Sequence, residues 1–470
     1  MSLWTVEAMA KAMGAARAGA LPAAISGLSI DTRTLKPGDA FFAITGENRD
    51  GHEFVAAALQ AGAGLAVVAR EKRDQFGKDA PLLVVEDVLR ALEDLGRAAR
   101  ARSGAKIIAV TGSVGKTGTK EALRLVLSGE GETHASAASY NNHWGVPLSL
   151  ALMPESAKFG VFEIGMNHAG EITPLTRMVR PHVAIITTIA PVHLEFFDSI
   201  DGIADAKAEI FLGLEPDGAA VINRDIPQYE RLAAHAKRAG ARIFGFGEHE
   251  SAEARLIKVA LQPDSSTVSA RICDHDVTYR LGAPGRHVVD NSLAVLAAAT
   301  LAGADLALAA LALGKLQPPK GRGERITLDL PGGQALLIDE SYNANPTSMR
   351  AALALLGQTP TRGLGRRIAV LGDMLELGPE GPALHGGLVD AVIANNIDLV
   401  FCAGPLMRAL WDALPSERRG GYAETSAALE AEILGAVQDG DAVMVKGSLG
   451  SRMGPIVKAL TRQFSEPVRG

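Results

Sequence analysis

The segment Val110-Thr111-Gly112-Ser113-Val114-Gly115-Lys116-Thr117-Gly118 places small residues around one lysine and one threonine, a set able to hold a triphosphate. It follows the apolar run Ile107-Ile108-Ala109 and opens an amphipathic stretch through Leu127. That order predicts strand, phosphate loop and helix. Backbone N–H groups around Gly112, Ser113, Val114, Gly115 and Gly118 can close on phosphate oxygens, and the helix N-terminus adds positive potential. Lys116 would span the outer phosphates and Thr117 would offer a hydroxyl to Mg²⁺, so ATP is the expected ligand. The general pattern wants a glycine where Val110 stands; Gly112 lies inside the loop instead.

Three further residues could join such a site. Glu163 ends the apolar run 159–162, where a phosphate-loop enzyme commonly keeps an acidic partner for Mg²⁺. His193, in Ala190-Pro191-Val192-His193, follows another buried strand. Lys207, in Asp205-Ala206-Lys207-Ala208-Glu209, reads by composition as an ordinary lysine on a helix surface. An ammonium near Mg²⁺ would be repelled, so Lys207 can serve the site only if its charge is removed or reversed.

The elements that must position these groups fall into three blocks, as 470 residues lead one to expect. Residues 1–104 mix short β-rich pieces with Ala-rich helical ones and read as a small α/β domain ending at Ser103-Gly104. Residues 105–321 alternate apolar strands (159–164, 182–189, 218–222) with helical stretches, which predicts a mostly parallel sheet with helices on both faces. Residues 322–470 repeat the alternation, with strands near 335–338, 367–371, 399–403 and 442–445, and predict a Rossmann-like α/β domain with polar groups at the strand ends. The apolar stretch 293–313 reads as two helices around Gly303-Ala304-Asp305, with Asp305 capping the second, and not as a membrane span.

Composition excludes several classes. Aromatic residues make up 4% and the net charge is -6, which argues against a nucleic-acid surface. Cys273 and Cys402 are the only cysteines, far apart, so neither a disulfide framework nor a zinc site is indicated and a reducing cytoplasm is expected. Met1–Glu7 lacks a basic region followed by an apolar core, so no secretory signal is expected.

Taken in order, Thr111–Thr117, Glu163, Pro191-Val192-His193, Ala206–Glu209, Asp290–Ala294 and Gly321-Arg322-Gly323-Glu324 resemble the signatures of the Mur ligases, cytoplasmic enzymes that build the peptide stem of bacterial cell-wall precursors. The family's phosphate loop has the short form seen here, so Val110 fits it. Asn141–Leu148, Glu163–Ile172, Asp339–Pro346, Leu371–Gly378 and Lys446-Gly447-Ser448 look most like the members that act on D-alanyl-D-alanine.

The resemblance implies an ATP-dependent amide ligase that adds D-alanyl-D-alanine to UDP-N-acetylmuramoyl-tripeptide through an acyl phosphate. It implies Mg²⁺ on Thr117 and Glu163, a second metal served by His193 and a carbamylated Lys207, adenine on Asn291, the terminal phosphate on Arg322, ribose on Asp339, and Tyr342 nearby. Lys116, His193, Lys207 and Arg322 would be the catalytic set. Ser29, Asp31, Arg33, Gly46, Asp50 and His52 would grip the uridine nucleotide. Asn141 and Asn142 would present the muramyl peptide, with Asn343, Asn345, Lys446 and Ser448 toward the incoming dipeptide. A monomer without nucleic-acid or membrane partners is expected. Two alternatives stay open: a related ligase adding a diamino acid, whose usual Asp-Asn-Pro-Arg type motif is absent here, and a phosphoryl-transfer kinase using the same loop.

Overall fold

The computed structural model describes residues 2–46, 49–136 and 140–465. Glu47 and Asn48 of the expected uridine loop, and residues 466–470 of the third block, lie outside them.

The first sheet has five strands in the order Ala16–Ala18, Leu82–Val85, Leu65–Ala69, Asp39–Phe42, Gly27–Ser29, antiparallel at the first pair and parallel beyond it. Successive side chains point to opposite faces, so Phe42 joins one apolar layer and Phe41 the other. Helix Val88–Arg102 starts at Asp87, whose carboxylate accepts the Arg90 N–H. Its C-terminal turn ties this sheet to the next one: buried Arg100 donates to the carbonyls of Val179 and Arg180 and pairs with Glu215.

The central sheet has nine strands, and Lys106–Thr111 lies inside it between Val183–Ile186 and Phe159–Glu163. Burial on both faces explains the unbroken apolar runs read from the sequence. Helices Lys116–Ser128 and Arg286–Leu301 cover one face; Ile200–Ala208 and its neighbours cover the other. At one edge, Ser266–Ile272 and His275–Leu281 add antiparallel strands after Ala254–Leu261. The helical alternation had not revealed them, because a hairpin needs no crossover helix. The 293–313 stretch is two helices, Arg286–Leu301 and Leu306–Leu313, and the Asp305 carboxylate caps the second through Leu308 N–H. Among the described residues no helix is long and apolar enough to cross a membrane.

The third sheet runs Glu324–Leu330, Gly333–Glu340, Ala442–Lys446, Arg367–Gly372, Leu399–Ala403, Arg419–Ala423. Its four inner strands match the expectation. The two edge strands were not foreseen: Glu324–Leu330 pairs antiparallel across the Pro331-Gly332 turn, and Arg419–Ala423 is half-buried and opens with two glycines after its arginine. Parallel register sets Glu340 beside Lys446 and Lys446 beside Leu371, which gathers polar groups at one end of the sheet.

Candidate active site

The phosphate loop leaves the C-terminal end of the central strand Lys106–Thr111 and enters helix Lys116–Ser128. Gly112 and Gly115 hold φ of 147° and 90°, conformations that side chains strain. A Cβ at Gly112 would lie 1.9 Å from Thr187 Oγ1, and one at Gly115 would lie 2.5 Å from the Asn291 amide nitrogen. The loop is therefore seated on the neighbouring strand end and on helix Arg286–Leu301. Thr187 donates its hydroxyl to Val114 O at 2.5 Å. Ser113 is an anchor of the loop: its N–H goes to Thr188 O at 2.9 Å and its hydroxyl bridges the backbone of Ala190. Lys116 Nζ donates to Gly112 O at 2.7 Å, while Gly118 leaves open space around its Cα. Burial, partly offset by Glu163 and reinforced by Arg322, draws the Lys116 amine below its ordinary range.

Glu163 is buried at the end of the adjacent strand. Its carboxylate accepts from Thr117 Oγ1 at 2.9 Å and from Asn141 Nδ2 at 2.8 Å, so Asn141 meets the site. Asn142 instead accepts the Gly145 N–H at 2.9 Å, just before helix Gly145–Ala151. The surface reading of Lys207 is overturned. It is 1% exposed in helix Ile200–Ala208, and no hydrogen bond or ion pair to it is found among the described residues. The helix turns Asp205 toward Arg231 and His235 of helix Tyr229–Arg238, and Lys207, two residues on and so roughly on the opposite side, is buried within reach of the Lys116 charge. Burial, and then the charge on Lys116, push its amine well below the lysine range.

A cleft of about 640 Å³ is shared by the phosphate loop, Asn291 and the facing end of the third sheet, and Asn141, His193, Arg322, Tyr342, Asn343, Asn345 and Lys446 all line it. Arg322 stacks over the Tyr342 ring, 4.4 Å from its centroid. The turn that carries Arg322 is fixed by Gly323 N–H to Asp339 O at 2.8 Å. Asp339 is buried, and its carboxylate accepts the Ser341 N–H. Asn345 caps helix Pro346–Gln358 in a reciprocal box with Ser348, and Asn343 accepts the Ala344 N–H.

Lys446, expected toward the incoming dipeptide, lines the cleft with its charge engaged by the protein itself. Lys446 is 2% exposed and donates to Glu340 at 3.0 Å and to Asn343 O at 3.0 Å, so its charge is already matched. Ser448 is committed to the fold, donating to Ala344 O and accepting from Leu375 N–H.

The residues expected at a uridine grip, Ser29 at the end of a strand of the first sheet and the others in the loops and the helical turn beside it, do not line this cleft. They are held by one another. Ser29 bonds the Asp31 backbone, Asp31 pairs with Arg33 at 2.6 Å, and Gly46 N–H meets Arg49 O. His52 is buried; its Nε2 accepts Ala69 N–H at 2.9 Å and its Nδ1 faces Asp50 at 2.6 Å. Burial opposes ionisation of Asp50, yet the hydrogen bonds from His52 and Thr45 outweigh it and hold the carboxyl well below its usual range. His52 thus orients Asp50 and ties it to the strand Leu65–Ala69.

His193 Nδ1 lies 2.5 Å from the Glu376 carboxylate, which this hydrogen bond holds below the usual range. Among the described residues no three His, Cys, Asp or Glu side chains gather as a metal site. Oxygen donors other than these, Thr117 foremost, would have to complete one. Sequence reasoning missed Thr187, Glu340 and Glu376: their roles depend on strand register and on contacts between blocks.

Comparison with known proteins agrees with this geometry. Residues 24–102 match the Mur ligase family catalytic domain, 110–299 the Mur ligase middle domain and 321–449 the Mur ligase glutamate ligase domain. The UDP-N-acetylmuramoyl-tripeptide–D-alanyl-D-alanine ligase of Escherichia coli (strain K12) is 34% identical over 93% of this chain and 94% of its own length. The protein of the same name from Bacillus subtilis (strain 168) is 33% identical over 93% of each chain. A crystal structure of MurF from Acinetobacter baumannii superposes with a TM-score of 0.84 at 31% identity, covering 98% of this chain and 99% of that one. With matches running from residue 24 to residue 449 and relatives above 30% identity over nearly the whole length, the chain belongs to the Mur ligase family.

Proposed function

We propose that this chain joins D-alanyl-D-alanine to UDP-N-acetylmuramoyl-tripeptide at the expense of ATP, as a cytoplasmic monomer in peptidoglycan precursor synthesis. The carrying observation is its whole-length similarity to ligases of that name, on a chain whose phosphate loop faces a second polar sheet end across one cleft. Residues 1–104 would bind the uridine nucleotide, 105–321 ATP, and 322–470 would close on ATP and the dipeptide. The same division of labour assigns adenine to Asn291 and ribose to Asp339.

In the reaction, a peptide carboxylate oxygen attacks the terminal phosphorus of ATP, and the bond to ADP breaks. The dipeptide amine then attacks the acyl carbon, loses a proton and expels phosphate. Lys116 and Arg322 would hold the anionic groups together, since two cations beside the phosphates reduce the repulsion between carboxylate and phosphate. Thr117 and Glu163 fit Mg²⁺ as hard oxygen donors 2.9 Å apart, and His193 would hold a second ion. Mg²⁺ held there would supply further charge neutralisation at the transferred phosphate.

Lys207 fits carbamylation. Its burial, with no counter-ion among the described residues, favours the neutral amine, which forms an N–C bond to CO₂ with loss of one proton. The product carries negative oxygen donors and removes the electrostatic conflict with a cation.

The test is phosphate release with UDP-N-acetylmuramoyl-tripeptide against a panel of D-dipeptides and diamino acids, together with hydroxylamine trapping. Release that depends on D-alanyl-D-alanine, and a hydroxamate product, are expected. Release driven by a diamino acid would assign the related ligase, and phosphate transfer to a stable acceptor without hydroxamate would assign a kinase.

A further inference from the structure

Glu376 stands in the loop after strand Arg367–Gly372, and its carboxylate meets His193 Nδ1 at 2.5 Å across 183 residues of sequence. The contact joins the third sheet to the loop that follows the central strand Val183–Ile186. It is reinforced beside the pair, where Glu195 N–H approaches Glu376 O at 3.5 Å and a Cβ on Gly378 would touch Glu195 Cα at 3.5 Å. Both partners hold left-handed backbone, φ 56° at His193 and 63° at Glu376. Such conformations are uncommon outside glycine and persist where surrounding structure demands them. Two bent segments therefore present these side chains to each other, although Glu376 is 46% exposed and could be hydrated elsewhere.

We infer that Glu376 is a positioning residue for His193: it accepts the Nδ1 proton, leaves Nε2 as the nitrogen with a free lone pair, and lends the cleft this donor only when the third sheet is docked. An imidazole that ligates a cation through one nitrogen is commonly oriented by a carboxylate at the other, and removing that partner typically costs roughly 10- to 100-fold in metal affinity or activity. Here the orienting group comes from a different sheet, so closing the cleft and completing the donor become one event. The inference rests on the proposed role of His193 as a cation ligand.

Glu376→Asn tolerates the left-handed backbone while withdrawing the carboxylate, and Glu376→Gln keeps an acceptor oxygen without the charge. Three readouts apply: the His193 tautomer by ¹⁵N–¹H correlation, Mn²⁺ affinity by electron paramagnetic resonance with β,γ-methylene-ATP present, and kcat against KM for ATP. Thermal unfolding establishes that each variant is folded. Glu376→Asn is expected to erase the Nδ1–H tautomer and weaken Mn²⁺ binding about 10- to 100-fold. The same substitution should lower kcat comparably with KM for ATP within about twofold. Glu376→Gln should fall between it and the parent, and Glu376→Asn should add no further loss to His193→Ala. If His193→Ala weakens Mn²⁺ binding but Glu376→Asn leaves tautomer and affinity unchanged, the positioning role is overturned and the cation role survives. If His193→Ala leaves Mn²⁺ affinity at the parent value, the cation role falls and the inference falls with it.

Discussion

The Thr117 hydroxyl donates to the Glu163 carboxylate at 2.9 Å although 46 residues separate them. Parallel pairing of Phe159–Glu163 with Lys106–Thr111 brings the strand end level with the loop, and the first turn of helix Lys116–Ser128 sets Thr117 over it. Asn141 holds the other carboxylate oxygen, which fixes the plane of the group. Glu163→Gln is therefore expected to lower kcat at least about 100-fold and to raise the Mg²⁺ concentration needed for half-maximal rate, while Thr117→Ser, which keeps the hydroxyl, stays near the parent. Steady-state rates across a Mg²⁺ series check this. An unchanged Mg²⁺ dependence in Glu163→Gln would remove the carboxylate from the cation site.

Lys207→Ala should lose most activity and recover part of it in acetate or formate, whose oxygens can enter the vacated position. Lys207→Arg should not recover as well, since its charge persists and guanidinium does not form the carbamate. Rates with and without added acid, at constant ionic strength, decide the matter. Full activity of Lys207→Ala in acid-free buffer would exclude a role in the reaction.

The buried Lys207 amine also predicts a pH-dependent stability. An unfolded lysine keeps its proton to about pH 10.4, whereas burial makes the folded one release it earlier. Between those two values the unfolded chain binds more protons, so stability rises with pH there. Lys207→Met should raise the melting temperature at neutral pH in CO₂-free buffer, and the gain should shrink as pH approaches 10. A gain independent of pH would point to packing instead of charge.

Gly112→Ala should lower both the melting temperature and nucleotide affinity, because its Cβ would strike Thr187 Oγ1, the donor that holds Val114. Gly118→Ala meets nothing within 4 Å inside a helix, and is expected to leave stability unchanged or raise it by up to about 1 kcal/mol. Calorimetry on both variants tests the contrast; equal effects would mean that the loop is not seated on Thr187.

Asp339→Asn keeps an acceptor for Ser341 N–H but gives up the charge proposed for the ribose hydroxyls. A charge-assisted hydrogen bond contributes about 1.5–3 kcal/mol, so ATP affinity should fall roughly 10- to 100-fold with the fold intact. Titration calorimetry with a non-hydrolysable ATP analogue measures it. Unchanged affinity would place the ribose away from the third sheet.

The local pattern around Lys116 announced strand, loop and helix on its own, because a phosphate loop needs contiguous small residues and a period change from strand to helix. The Asp305 cap and the four inner strands of the third sheet were legible for the same reason: each depends on neighbours in sequence. Lys207 was not, since a lysine between alanines carries no local sign of which side of its helix will be covered; packing buried the amine and lowered its pKa. Residue order says nothing of the Glu340 that parallel register sets beside Lys446, or of the distant backbone groups that occupy the hydroxyls of Ser113 and Ser448. The His193–Glu376 pair had no signal at all in the chain, because a hydrogen bond across 183 residues exists only after two sheets have docked. Contiguous chemistry is written in residue order, whereas burial, counter-ions and donor orientation are properties of surfaces that meet only in the folded molecule.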